Sequence, residues 1–232
     1  MAAVEDRMWW TRALRRNLLM AAEGHMRPGA RILDAGCGTG SLLATLAAAR
    51  PATLSFGVDR DGFAAQLARG KSRRPTAGAS VDDLPFCNRT FDLIFSADVL
   101  CHRGVRIERA LGEMRRCLRP GGALIINLPA YRWLYSAHDR AVDNVRRFGR
   151  GEVVRLLAGA GFAGIRATHW NALLFPLMLV RRLLPGGSSE VGLLPAPVEQ
   201  LFGAAAAFES GLLRSGLRLP FGGSILAAGT RP

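Results

Sequence analysis

The sequence predicts a doubly wound α/β fold, one domain built on a mostly parallel sheet of seven strands. Three observations carry this. Strand-like and helical segments alternate along most of the 232 residues. The strand-like segments are continuous apolar runs, which suits a sheet buried on both faces. The first of them runs into a glycine-rich turn, Asp34-Ala35-Gly36-Cys37-Gly38-Thr39-Gly40, that opens a helix at Ser41.

Each element has its own signal. Trp9, Ala13, Leu14, Asn17, Leu18 and Ala21 recur near helical spacing, so residues 5–24 read as a helix ended by Pro28-Gly29. Residues 30–33 form the first strand and 41–49 the helix after the glycine turn. Strands follow at 53–58 and, more weakly, 77–81, with a helix at 62–69 between them. Residues 91–96 read as the fourth strand, with large apolar residues around Asp92. A helix over 105–118 is stopped by Pro120-Gly121-Gly122, and a fifth strand covers 123–128. A helix at 151–160, a strand at 162–169 and a last strand at 224–230 complete the series. Residues 129–149 and 170–221 fall outside the alternation, and insertions at strand ends of such folds shape substrate pockets. The single domain thus divides into an N-terminal lid helix (1–29), a cofactor-binding core (30–128) and two pocket insertions (129–149 and 170–221).

Composition excludes several classes. Charged residues make up 21% and hydrophobic ones 49%, which is globular rather than disordered. Four cysteines without a CxxC pair fit neither a disulfide scaffold nor a zinc site, and no metal is expected. The first sixteen residues mix Glu5, Asp6, Trp9, Trp10 and Arg15 without the apolar stretch of a signal peptide. No run reaches the roughly 18 apolar residues of a membrane span. A cytoplasmic enzyme is the expectation. The net charge is +13, and of the 31 basic residues only Lys71 is a lysine. Basic chains suggest nucleic acid or anionic membranes, but an arginine, alanine and glycine excess also follows from GC-rich coding. The excess is spread: residues 1–150 hold 24 basic and 14 acidic residues, residues 151–232 hold 7 and 4.

The glycine turn decides the ligand class. A strand, glycine turn and helix N-terminus let backbone N–H groups approach a ligand closely. The dinucleotide fingerprint is GxGxxG, whereas here glycines 36, 38 and 40 give GxGxG. Asp34 before the first glycine suits a ligand with an ammonium group. Asp59, at the end of strand two, suits ribose hydroxyls.

Together with Gly57-Val58-Asp59, Asp83-Leu84-Pro85-Phe86, Phe91-Asp92-Leu93-Ile94 and Leu118-Arg119-Pro120-Gly121-Gly122, this turn resembles the class I S-adenosylmethionine-dependent methyltransferases. The resemblance covers residues 30–128 with the motifs in order. It implies a Rossmann-like fold, S-adenosyl-L-methionine as cofactor, Gly36, Gly38 and Gly40 around its methionine part, Asp34 on its ammonium and Asp59 on its ribose. Cys37, Arg60 and Ser96 adjoin these motifs and join the cofactor set. The acid that such proteins carry four residues before the Leu of Leu-Pro-Phe is Ser80 here. Either Ser80 and the Val81 backbone hold the adenine, or Asp82 substitutes.

Residues 130–148 are similar to a subgroup of small bacterial methyltransferases with Pro-Ala-Tyr after strand five, a His-Asp pair, and a later His-x-Arg-Arg-Tyr; Asn144 and Phe148 replace that histidine and tyrosine. His138-Asp139 is the expected general base, since an imidazole accepts a proton near neutral pH; its alternative is a loop-fixing histidine. His102 is the second candidate, or closes the pocket floor. Trp10, Asp98, Tyr131 and Arg147 make up the acceptor side, with Arg146-Arg147 able to match an oxyanion or to pair with a loop acid. Residues 173–184 and 201–219 read as apolar helices covering an acceptor pocket or lying on a membrane, joined by Pro185-Gly186-Gly187-Ser188-Ser189. The expected activity is methyl transfer, at oxygen, to a small hydrophobic or amphipathic metabolite. A nucleic-acid methyltransferase is the second reading, but no Asn/Asp-Pro-Pro-Tyr/Phe motif follows strand four and no RNA-binding module is visible. A non-transfer reaction such as cyclisation is the third.

Overall fold

A computed structural model describes residues 6–183 and 194–232. Seven strands form one sheet: β1 (Arg31–Ala35), β2 (Leu54–Asp59), β3 (Thr76–Gly78), β4 (Phe91–Ala97), β5 (Leu118–Pro129), β6 (Ala163–Trp170) and β7 (Ser224–Thr230). Their order is β3-β2-β1-β4-β5-β7-β6. The first five are parallel, and β7 runs antiparallel to both β5 and β6. The helices are α1 (Trp9–Ala21), α2 (Ser41–Ala49), α3 (Gly62–Ser72), α4 (Ile107–Cys117), α5 (Ala137–Ala141), α6 (Arg150–Gly159), α7 (Phe175–Leu183) and α8 (Ala196–Arg214).

The sheet is buried on both faces because alternate residues of each strand feed different cores. Leu33, Ile94, Leu124 and Ile126 pack with Leu111 and Met114 of α4 and Val153 and Leu157 of α6. Ile32, Phe95 and Ile125 pack on the other face with Leu18 of α1 and Leu42 and Leu46 of α2. On α4, Ile107, Ala110, Leu111 and Met114 are all buried, the one-face spacing of an amphipathic helix.

Strand order reverses between β1 and β4, which are neighbours. Ligands of open parallel sheets bind outside the carboxyl ends of strands at such a switch point. Asp34 lies near the end of β1, and Asp98 directly follows β4.

Three expectations are corrected. Pro120-Gly121-Gly122 does not separate helix from strand. The helix ends at Cys117, where Leu118 is already extended, and the Pro-Gly-Gly run lies within β5 at an irregularity opposite Phe91 and Leu93. There Gly121, at φ +77°, donates its N–H to the Arg231 carbonyl. The third strand is Thr76–Gly78, so Ser80 and Val81 stand in the following loop. The N-terminal helix spans Trp9–Ala21 and not 5–24; residue 5 lies outside the described residues, as does the Pro185–Ser189 stretch.

The N-terminal helix is braced by α8, not by a sheet edge. Glu199 accepts the Trp9 N–H at 2.8 Å, and Ser210 donates to the buried Asn17 side chain at 2.7 Å. No described helix is long and apolar enough to cross a membrane.

Candidate active-site cleft

A cleft of about 670 Å³ opens at the switch point, within the roughly 300–1,000 Å³ of small-molecule sites. Its floor is the glycine turn and the ends of β1, β2 and β4. One wall is the inward side of α1, with Trp10, Thr11, Leu14, Arg15 and Leu18.

The turn is shaped for a ligand. Gly36 and Gly38 have φ of +91° and +50°, where a side chain is strained. A Cβ on Gly36 would collide with Val99, whereas above Gly38 the space is open, so a ligand can meet the bare backbone. Gly40 (φ +84°) does different work. A Cβ there would lie 2.6 Å from the Ala68 Cα, so this glycine lets α2 and α3 approach, and it does not line the cleft.

Asp34 is 3% exposed, and its carboxylate accepts no hydrogen bond among the described residues. Burial, with Asp59 nearby, pushes its pKa up from 3.8 to about 7. A buried carboxylate without a cation is costly, and a ligand ammonium relieves that cost. Asp59 accepts the Gly38 N–H at 2.8 Å and the Asp61 N–H at 2.9 Å, which ties the glycine turn to β2 while the residue still lines the cleft. Cys37 and Arg60 also line it; burial raises the Cys37 thiol, so it stays neutral. These features fit S-adenosylmethionine: a carboxylate for its ammonium, an acid at the ribose position and a glycine backbone for the part between.

Ser80 and Val81 line the cleft, and Asp82 does not. The Asp82 carboxylate is turned to Arg106, accepting from its backbone N at 3.2 Å and Nε at 3.1 Å. A nearly buried carboxylate needs such donors, and this takes it out of the cofactor set. Ser96 is also displaced: it is 1% exposed within β4, with an Oγ that has no partner among the described residues.

On the acceptor side, Trp10, Asp98 and His102 line the cleft; His138, Asp139, Tyr131 and Arg147 do not. Asp139 is fully buried, pairs with Arg147 at 2.8 Å and accepts from Ser136 N at 2.9 Å to cap α5. Arg147 is 6% exposed and also donates to the Ala130 carbonyl at 3.0 Å. A buried guanidinium must be paired, so this arginine is consumed inside the insertion. Tyr131 stacks on His169 at 5.4 Å, beside Phe175. The described part of residues 170–221 contributes no lining residue; α8 supports the α1 wall from behind.

Asp98 is the acceptor-side carboxylate that lines the cleft. Burial raises its pKa from 3.8 to about 7, against the lowering effects of its Asn127 hydrogen bonds and the Arg147 charge. Asn127 donates to both carboxylate oxygens at 3.0 and 3.1 Å, and its own oxygen accepts from Trp170 Nε1 at 2.7 Å. Trp170 in turn stacks on Trp10, with centroids 4.5 Å apart and planes 6° from parallel. This network was missed in the sequence. Its signal was Asn127 itself, a polar residue in an apolar run expected to be wholly buried, since buried polar groups are nearly always hydrogen-bonded.

Residues 33–126 match the family model described as a methyltransferase domain. The chain is similar to squalene methyltransferase 2 of Botryococcus braunii, 34% identical over 111 residues that cover 44% of this chain and 29% of that protein. It is similar to a ubiquinone/menaquinone biosynthesis C-methyltransferase of Syntrophotalea carbinolica, 29% identical over 78% of this chain and 86% of that one. Among solved structures, the 4+2 cyclase SpnF superposes with a TM-score of 0.64 at 22% identity, over 96% of this chain and 83% of that one. The chain spans 29% to 53% of the length of four of the curated relatives it matches.

Proposed function

From a chain that carries a class I S-adenosylmethionine-dependent methyltransferase domain, we propose methyl transfer to a small lipophilic acceptor whose departing proton is taken by Asp98. The observation that carries this reading is the shared cleft: the cofactor-side acids Asp34 and Asp59 and the acceptor-side Asp98 and His102 open into one cavity.

The cofactor, when bound, supplies an electrophilic methyl group. The chain's own part is to bind, orient and receive a proton. Asp34 holds a cation, Asp59 accepts from hydroxyls, and Ser80 with the Val81 backbone borders the base. Trp10, Leu14, Leu18, Val99 and Val105 give apolar walls that exclude water and favour an apolar acceptor body. Asp98, at about 7, exchanges its proton near neutral pH, as a general base must. The Asn127 amide fixes its orientation. Oxygen is the atom this chemistry serves most directly, because a hydroxyl loses its proton as it is methylated. The printed name of the Syntrophotalea relative, a C-methyltransferase, favours carbon as the second reading, and there too a proton must leave.

The test is transfer from methyl-labelled cofactor into a lipid extract by the purified chain, with the product's methyl located by NMR. Label in the organic phase is expected. Label confined to RNA or DNA, or no transfer by a chain that binds S-adenosylhomocysteine, overturns the proposal.

A further inference from the structure

We infer that Trp170 is a positioning residue for the reaction: its indole N–H selects which end of the Asn127 amide faces Asp98, and so keeps Asp98 in the form that accepts a proton, a role that rests on the reading of Asp98 as the proton acceptor. A primary amide fits its site in two ways, with its NH2 or its oxygen toward a given neighbour. The two are nearly the same shape, so hydrogen-bond partners choose between them. Asn127 is fully buried, where an unpaired polar atom is costly. Its side-chain oxygen has one donor among the described residues, Trp170 Nε1 at 2.7 Å. An indole nitrogen can only donate, so this contact admits the amide oxygen and not the NH2. The NH2 then points the other way, and there it meets both Asp98 oxygens, at 3.0 and 3.1 Å. A donor in that place favours the carboxylate over the acid. Turned over, the amide would offer its oxygen, which only protonated Asp98 could bond. The indole N–H therefore acts on the proton of a residue to which it is not itself hydrogen-bonded.

The surroundings hold this chain of bonds in place. Trp170 is 1% exposed at the end of β6 and does not line the cleft, while Trp10, which does, stacks on its ring. At the other end the Asp98 backbone N–H donates to the Asn127 carbonyl at 2.9 Å. Asp98 also has a φ of +56°, a left-handed backbone that persists where its surroundings enforce it and that clusters at functional sites. Three other charged or titratable groups stand near Asp98. Arg147 carries a charge that opposes the effect of burial, the Cys101 thiol donates to the Asp98 carbonyl at 3.1 Å, and His102 lines the same cleft. None of the three is hydrogen-bonded to the Asn127 or Trp170 side chain among the described residues. The effect of the indole N–H is therefore separable from theirs.

The test is the titration of Asp98 in the ligand-free full chain, followed through its carboxyl carbon by NMR and assigned with Asp98→Asn. Trp170→Phe keeps a ring against Trp10 and removes the N–H. Its Asp98 midpoint is expected to rise by about one pH unit, a tenfold gain in proton affinity. Methyl transfer at pH 7 is expected to fall by about fivefold, as the ionised fraction drops from half to about one tenth. Benzothienylalanine at position 170 has sulfur in place of the N–H in rings of the same shape. It is expected to give the same rise, which separates loss of the donor from loss of packing. In an Asn127→Leu chain, where no amide remains to be turned, Trp170→Phe is expected to leave the Asp98 midpoint where it was. An unshifted midpoint with the benzothienyl residue overturns the proposal, whatever the phenylalanine does. So does a rise of equal size in the Asn127→Leu chain, which would make Trp170 a packing residue. Failure of the methyl-transfer reading looks different: the wild-type rate would not follow the Asp98 titration, while the shift on removing the N–H would remain.

Discussion

Asp34→Asn tests the cofactor side of the cleft through two effects of opposite sign. Asp34 is 3% exposed, and its pKa rises from 3.8 to about 7 on folding without ligand. A raised carboxylate pKa contributes stability that is fully present below the unfolded value and is lost as pH rises through the folded one. The burden of the ionised group therefore grows between pH 4 and pH 7. At 1.36 kcal/mol per tenfold it amounts to about 2 kcal/mol at pH 5 and at most about 4 kcal/mol at pH 8. The asparagine has no such burden and nearly the same shape. With about 2–4 °C per kcal/mol for a chain of this size, the ligand-free variant is expected to melt about 8–16 °C above wild type at pH 8, and about half that at pH 5. Binding moves the other way. A hydrogen bond to a charged group contributes about 1.5–3 kcal/mol, so affinity for S-adenosylhomocysteine is expected to fall about 10- to 150-fold. Scanning fluorimetry at the two pH values and titration calorimetry read both effects. A variant that is less stable at both pH values and binds as tightly as wild type would falsify the assignment of Asp34 as the ammonium's counter-charge.

Four further outcomes concern the acceptor side and the insertion beside it. Asp98→Asn keeps the side chain's size; it is expected to slow methyl transfer by about 10²–10⁴ while leaving S-adenosylhomocysteine binding within a few-fold. In wild type, with Asp98 as the proposed proton acceptor, the rate is expected to rise as pH passes through about 7; an Asp98→Asn enzyme that retains this rise would show that another group titrates. His138→Ala is expected to leave the rate within a few-fold, since His138 does not line the cleft, and a loss of a hundredfold would restore it as the base. Arg147→Met strands the buried Asp139 carboxylate and is expected to cost about 3–5 kcal/mol in urea unfolding; a cost below about 1 kcal/mol would contradict the buried ion pair.

The contrast between the two sides explains what the sequence discloses. Asp34, the glycine turn and Asp59 sit within 26 consecutive residues of strand, turn, helix and strand. Their placement follows from local geometry, and the motif spacing is enough to read it. The acceptor side is assembled from α1, the end of β4, Asn127 on β5 and Trp170 on β6. No sequence spacing relates these positions. His138-Asp139 looked catalytic and Arg147 looked acceptor-binding because residue type was visible and burial was not. Once Asp139 is enclosed it must find a cation, and Arg147 is spent on it.

The arginine excess divides on the same physical line. Arg231 Nη1 donates to the carbonyls of Arg115, Arg116 and Leu118, which follow the end of α4 into β5. Arg116 donates to the Leu84 and Phe86 carbonyls and to Asn88 and Glu113. Arg106 holds Asp82, and Arg119 holds Asp92. For these residues the positive charge accompanies structural hydrogen bonds, and a planar fork of donors serves that work better than an ammonium. Folding engages many of the arginines in this way. Arg12, Arg16, Arg214 and Arg218 are exposed and have no ion-pair partner among the described residues. The net charge of +13 thus bears on a partner only through the arginines that the fold leaves unengaged.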